Sequence, residues 1–207
     1  MKLSAFFIVT LLAVTWGGSG VNAAAFNDPT WPCQQRKVEM LSLGIMWTEP
    51  LPQGFDIETN RSVTGEARDL VLILSLRRIP LQEAEEAVLS FVENADPADA
   101  DIMFLVFADV FETLGDTRRD VIAGIERYSL KQIALSERIK ARRSEMRVLM
   151  DAGNPDYDRI DRLEEQLDWD ERVFRDRARS LTYVCETPVL IEKRLYAIAQ
   201  LLLKHAR

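Results

Sequence analysis

Two cysteines, Cys33 and Cys185, and one histidine, His205, are the side chains here best suited to nucleophilic, redox or metal chemistry. Cys33 sits in the stretch DPTWPCQQRKV (Asp28 to Val38), between prolines and beside Trp31. Three thiol chemistries are open to it: acylation, exchange as a reactive thiol, or a structural bridge. Acylation needs small residues directly before the cysteine, and Thr-Trp-Pro stands there instead. A CxxC redox motif is excluded by the 152-residue separation from Cys185. An even cysteine count in an oxidising compartment points to a disulfide. Cys33–Cys185 is the one intramolecular pairing available, and it is the expected bridge.

His205 stands next to the C-terminal end of the sequence, where chain ends fray, and makes a poor preorganised base. Ser-His-Asp and Cys-His catalysis therefore lack their base. A His/Cys zinc site lacks ligands, and the paired ExxH motifs of di-iron bundles do not occur. There is no phosphate-cradling glycine loop and no dinucleotide fingerprint. Most acidic residues alternate with Arg and Lys at helical spacing, as in DYDRIDRLEEQLDWDERVFRDRARS, which reads as a solvated, ion-paired face. No residue is assigned as catalytic, cofactor-binding or metal-binding, no cofactor is expected, and the chain is read as a non-enzyme.

The first residues set the compartment that this reading assumes. Lys2 precedes an uncharged run from Ala5 to Trp16, too short to span about 30 Å of hydrocarbon comfortably, and small residues follow it. Residues 1–25 are read as a signal peptide cleaved after Ala23 or Ala25, with a retained N-terminal anchor as the alternative. The mature chain is expected to be periplasmic or secreted, with no stable membrane span after cleavage. The formal net charge of −7 becomes −8 once Lys2 is removed, and such a chain is not built to neutralise nucleic-acid phosphates. Asn60-Arg61-Ser62 matches the N-glycosylation sequon, a pattern short enough to arise often by chance.

The elements that would position these residues are helical. Residues 26–63 hold Pro29, Pro32, Pro50 and Pro52 and read as an extended N-terminal strap. Its buried contacts are expected to be Trp31, Met40, Leu43, Ile45, Met46 and Trp47. Residues 64–207 form an all-α domain. Glu66 to Ile79 is apolar almost all round at Leu70 to Leu74, Pro80 starts a second helix, and Asp96-Pro97 starts a third.

Stepping by alternating fours and threes from Phe107 meets Phe111, Leu114, Arg118, Val121, Ile125, Tyr128, Gln132, Leu135, Ile139, Arg142, Met146 and Leu149. Ten of these 13 positions are apolar or aromatic, a coiled-coil seam. DAGNPDYD then breaks the helix, with Gly153 left-handed, Asn154 capping and Pro155 opening the return. The returning seam is Ile160, Leu163, Leu167, Asp170, Phe174, Arg177, Leu181 and Val184. Folding about Gly153 pairs Met146 with Ile160, Ile139 with Leu167 and Ile125 with Leu181. It sets a basic run (Arg138 to Arg147) against an acidic one (Asp158 to Asp170). Thr187-Pro188 restarts a final helix.

The expected fold is thus all-α: a helical bundle with a long antiparallel coiled-coil hairpin, residues 107–186, and a strap held by one disulfide. Buried seam arginines, Arg118 and Arg177, need a carboxylate or an anion unless their heads reach solvent. The leading expectation is an exported scaffold or assembly protein that binds another envelope or exported protein through the hairpin, with Arg143 and Arg147 near its tip as partner-binding residues. The alternative is a periplasmic ligand-sensing domain, its pocket lined by Trp31, Trp47 and the aromatics of the third helix.

Overall fold

A computed structural model describes residues 28–55, 63–94 and 101–206. The expected signal peptide, the sequon at Asn60 and the expected helix start at Asp96-Pro97 lie outside the described residues. Within them the regular structure is helical throughout: α1 Leu43–Met46, α2 Gly65–Ser75, α3 Leu81–Asn94, α4 Ile102–Met150 and α5 Tyr157–Leu203. The two long helices, of 49 and 47 residues, pack against each other and would measure roughly 70 Å each at 1.5 Å per residue.

One core gathers an end of both long helices with everything else. It joins Trp47 after α1, Leu70 and Leu74 of α2, Val88 of α3, Phe107 of α4, and Ile191, Leu195 and Leu202 of α5. Aromatic rings knit it locally: Trp47 stacks on Phe107 and meets Phe104 edge-on, both at 5.4 Å, and Phe55 meets Phe104 at 4.5 Å. The turn that delivers Phe55 closes by a hydrogen bond from its N–H to the Pro52 carbonyl at 3.1 Å. Its third residue, Gly54, has φ +77°, a conformation that side chains with a Cβ resist. Leu72 departs from the all-round burial expected of α2 and is 54% exposed.

A second, smaller cluster lies farther along the long helices, where Leu135, Ile139 and Leu167 pack with Met146 and Phe174. Cross-helix hydrogen bonds fix the direction of packing. Gln132 donates to the Phe174 carbonyl at 3.1 Å, Arg143 meets Glu171 at 2.6 Å, and Arg159 meets Glu145 at 2.5 Å. Ascending positions on α4 meet descending positions on α5, so the pair is antiparallel.

Three local expectations need correction. The return is one uninterrupted helix, with Pro188 buried inside it. Proline removes the N–H that Val184 would otherwise receive. Cys185 on one side and Ile191, Leu195 and Leu202 on the other are buried, and that tertiary burial outweighs the local propensity to break. At the turn, Asp156 rather than Asn154 caps α5, its carboxylate accepting from the Arg159 N–H at 3.1 Å. Gly153 is not left-handed; among the described residues only Gly54 and Gly65 have positive φ. Of the buried contacts expected of a strap, Leu43, Met46 and Trp47 are buried and Trp31 is half-buried, but Met40 and Ile45 are 73% and 77% exposed.

Candidate interaction surface

The cysteines come together. Cys33 and Cys185 are bonded with a Cα separation of 5.5 Å, and neither is free. The segment around Cys33 has no core of its own, since no residue from Asp28 to Ser42 is fully buried. Polar contacts lay it along the long helices instead. The Ser129 hydroxyl donates to the Pro29 carbonyl at 3.2 Å, and Arg118 donates to the Glu39 carbonyl at 3.3 Å. Lys37 pairs with Glu126 at 2.5 Å and with Glu39 at 2.7 Å. Glu126, then Glu39, hold its ammonium well above the usual lysine range. Within the segment, Trp31 donates from its indole nitrogen to the Gln35 carbonyl at 2.7 Å. Asp28 accepts from the Thr30 hydroxyl and N–H, which lowers its carboxyl below the usual range.

These contacts explain a local change of seam phase. Ile122 and Ser129 are buried where Val121 and Tyr128 were expected, because the segment covers that flank of α4. Tyr128 stays half-buried and its hydroxyl donates to the Arg177 carbonyl at 3.4 Å. On α5, Cys185 takes the buried place expected of Val184, which is 42% exposed.

The seam arginines have different fates. Arg118 is buried to 4% exposure, and desolvation lowers its guanidinium while Glu192, at 3.9 Å, opposes this. Its Nε finds no partner. Arg177 is half-buried. The buried carboxylate on the seam, Asp170, is held by Arg138 at 3.0 Å and by Arg142. Sequence reading placed Asp170 and Arg142 on facing seams but did not pair them.

Arg194 was missed altogether. From α5 its Nε and Nη2 donate to the Leu74 carbonyl at 3.1 and 3.0 Å, and Nη1 donates to Ile79 at 2.8 Å. The Leu74 carbonyl in the last turn of α2 lacks a helical donor, and this guanidinium supplies one while also holding the Ile79 carbonyl in the connection to α3. The available hint was one cation of the Glu192-Lys193-Arg194 triplet inside a largely apolar helical stretch, which reads equally well as a solvated face.

Near the turn, Arg143 is engaged by Glu171, whose carboxyl it lowers, whereas Arg147 is exposed. Around them Val148, Met150 and Tyr157 are 68%, 58% and 69% exposed, an apolar tip between the two long helices. The two tryptophans expected to share a pocket are separately used: Trp47 is 3% exposed within the core, and Trp31 is bound to Gln35. A surface dent of about 200 Å³ beside Trp47 is lined by Pro50, Pro52 and Phe104. Among the described residues no three His, Cys, Asp or Glu side chains gather as a metal-ligand set, and no helix is long and apolar enough to cross a membrane. Compared with family models, curated proteins and solved structures, the chain matches none.

Proposed function

We propose that this is an exported, non-enzymatic scaffold or assembly protein of the cell envelope, and that α4 and α5 form a coiled-coil hairpin that engages another exported protein at its tip. In this reading residues 26–63 are the strap and residues 64–207 the helical domain. The observation that carries the reading is the tip itself. Val148, Met150 and Tyr157 are exposed at the far end of a two-helix arm whose facing positions Leu135, Ile139, Ile160, Leu163 and Leu167 are buried. Three large apolar side chains exposed around a single turn favour contact with another surface. Arg147 and Arg143 lie beside them as polar rim residues, with Arg147 the better placed because Glu171 occupies Arg143.

The ligand-sensing alternative draws less support. Trp47 fills core space between Phe104 and Phe107, and the dent beside it is below the roughly 300 Å³ at which ligand pockets begin. The test is in-cell photocrosslinking from Val148 and Tyr157, with a probe at exposed Tyr196 of the base as control. A discrete protein captured from the tip positions and lost in Arg147→Glu supports the reading. Capture equal from Tyr196, or unchanged by Arg147→Glu and Val148→Asp, overturns it.

A further inference from the structure

The outward face of α5 carries a second strip at alternating spacing: Asp158, Arg162, Glu165, Trp169, Arg172, Asp176 and Arg179. At 100° per residue it lies nearly opposite the seam of Leu163, Leu167 and Asp170, and every member is exposed. Trp169, in its middle, is 65% exposed. The indole borders a surface dent shared with Arg142 of α4, yet most of it is exposed on a charged helix, and that is the feature to explain.

The charges around it are arranged about Trp169 as about a two-fold axis. If a second α5 lies antiparallel with Trp169 facing Trp169, then Glu165 meets Arg172 of the second copy. Arg162 likewise meets Asp176, and Asp158 meets Arg179. Each pair occurs twice, as an isologous interface requires. The register is selected as well. Sliding by three residues sets Arg162 against Arg179 and Glu165 against Asp176, like against like. Among the described residues, Asp158, Arg162, Glu165 and Arg172 have no ion-pair partner within the chain; Asp176 and Arg179 pair with each other at 2.5 Å.

From this self-complementarity we infer that the outward face of α5 is a homodimer interface in which two copies lie antiparallel about Trp169. The strip from Asp158 to Arg179 is about 32 Å long, which belongs to the small, weaker class of interfaces. It goes beyond the proposed function and uses none of the tip residues named there, so tip capture and dimerisation can fail separately.

The experiment is sedimentation velocity on the purified, disulfide-bonded chain from about 1 to about 200 µM at low salt, the range suited to a weak dimer. Wild-type protein should pass from monomer to dimer, and added salt should shift it back. Glu165→Arg alone and Arg172→Glu alone each place two like-charge pairs across the axis, and each should weaken self-association by about tenfold or more. An equimolar mixture of the two variants restores both pairs and should dimerise at wild-type concentrations. Circular dichroism checks that both variants fold, and the mixture gives a readout that damage to folding cannot mimic. Wild-type protein that stays monomeric, variants that still self-associate, or a mixture that fails to recover would each overturn the inference, as would a face that instead binds only a different protein.

Discussion

Breaking the Cys33–Cys185 bridge tests how the N-terminal segment is held. The cross-link spans 152 residues. On the chain-entropy account, closing a loop of that length removes about 5 kcal/mol of disorder from the unfolded chain at 25 °C. Native contacts offer little to replace it, since the segment from Asp28 to Ser42 buries no side chain fully and depends on a few polar contacts. Ordering each of its residues costs about 1–2 kcal/mol, so without the bridge it should detach while the helices persist.

Cys33→Ser and Cys185→Ser should therefore each lose between about 3 and about 5 kcal/mol in urea unfolding, or roughly 6 to 20 °C in melting temperature. The double variant should lose no more than either single one, because each substitution already removes the whole cross-link. Under native conditions, trypsin should cut the variants at Arg36 and Lys37 well before the helical circular dichroism falls. Losses under about 1 kcal/mol in both variants, or a segment still protected from trypsin, would refute the staple reasoning. Clearly unequal single losses would also count against it.

Further outcomes follow from other contacts. Ile139→Asp puts a charge into the cluster with Leu135 and Leu167 and should cost at least about 3 kcal/mol by denaturant melt, while Lys140→Asp on the exposed side should stay within roughly 0.5. Arg194→Ala strips the Leu74 carbonyl of α2 and the Ile79 carbonyl beyond it of their donor and should cost about 1–3 kcal/mol, with hydrogen exchange rising in α2 before α4. Asp28 and Glu171 both have folded-state carboxyls below their unfolded values, through Thr30 and Arg143 respectively. Their stabilisation is present above the unfolded values near 4 and is lost as pH falls through the folded ones. A Thr30→Val, Arg143→Gln protein should thus lose less melting temperature than wild type between neutral pH and about pH 2; parallel acid profiles would contradict the assignment.

Helical periodicity made the two long helices legible, and cysteine counting made the bridge legible. Both signals arise from constraints that span many residues or admit one solution. What failed was local. Pro188 looked like a helix start, because from sequence alone a proline with threonine before it breaks more often than it continues. The continuation depends on burial at Cys185 and Ile191, which no local window contains. Val121 and Tyr128 lost their seam places to Ile122 and Ser129 because a distant segment lies on that flank. The partners of Arg118 and Arg194 were invisible for the same reason: backbone carbonyls at Glu39, Leu74 and Ile79 leave no mark in the sequence.

The same logic bears on what α5 is for. A helix that only had to pack on α4 would need one apolar seam and an outward face of any soluble composition. Its seam already departs from that minimum, since Asp170 is buried and needs both Arg138 and Arg142. Asp170 is buried while Arg142 is partly and Arg138 largely exposed. Exposed ion pairs add little stability, and a buried charge can often be replaced by an apolar residue at little cost. The trio is therefore better suited to fixing the register of α4 against α5 than to adding stability. Register then matters for the rest of the molecule. It sets which residues reach the tip beside Val148 and Tyr157, and where Cys185 stands to receive Cys33. An Asp170→Leu, Arg138→Leu, Arg142→Leu protein separates the two roles. It should keep or gain thermal stability while cysteine pairs placed across the Ile139–Leu167 layer crosslink less uniquely than in wild type. Crosslinking in one register only, at unchanged yield, would show that packing of Leu135, Ile139 and Leu167 suffices to align the helices.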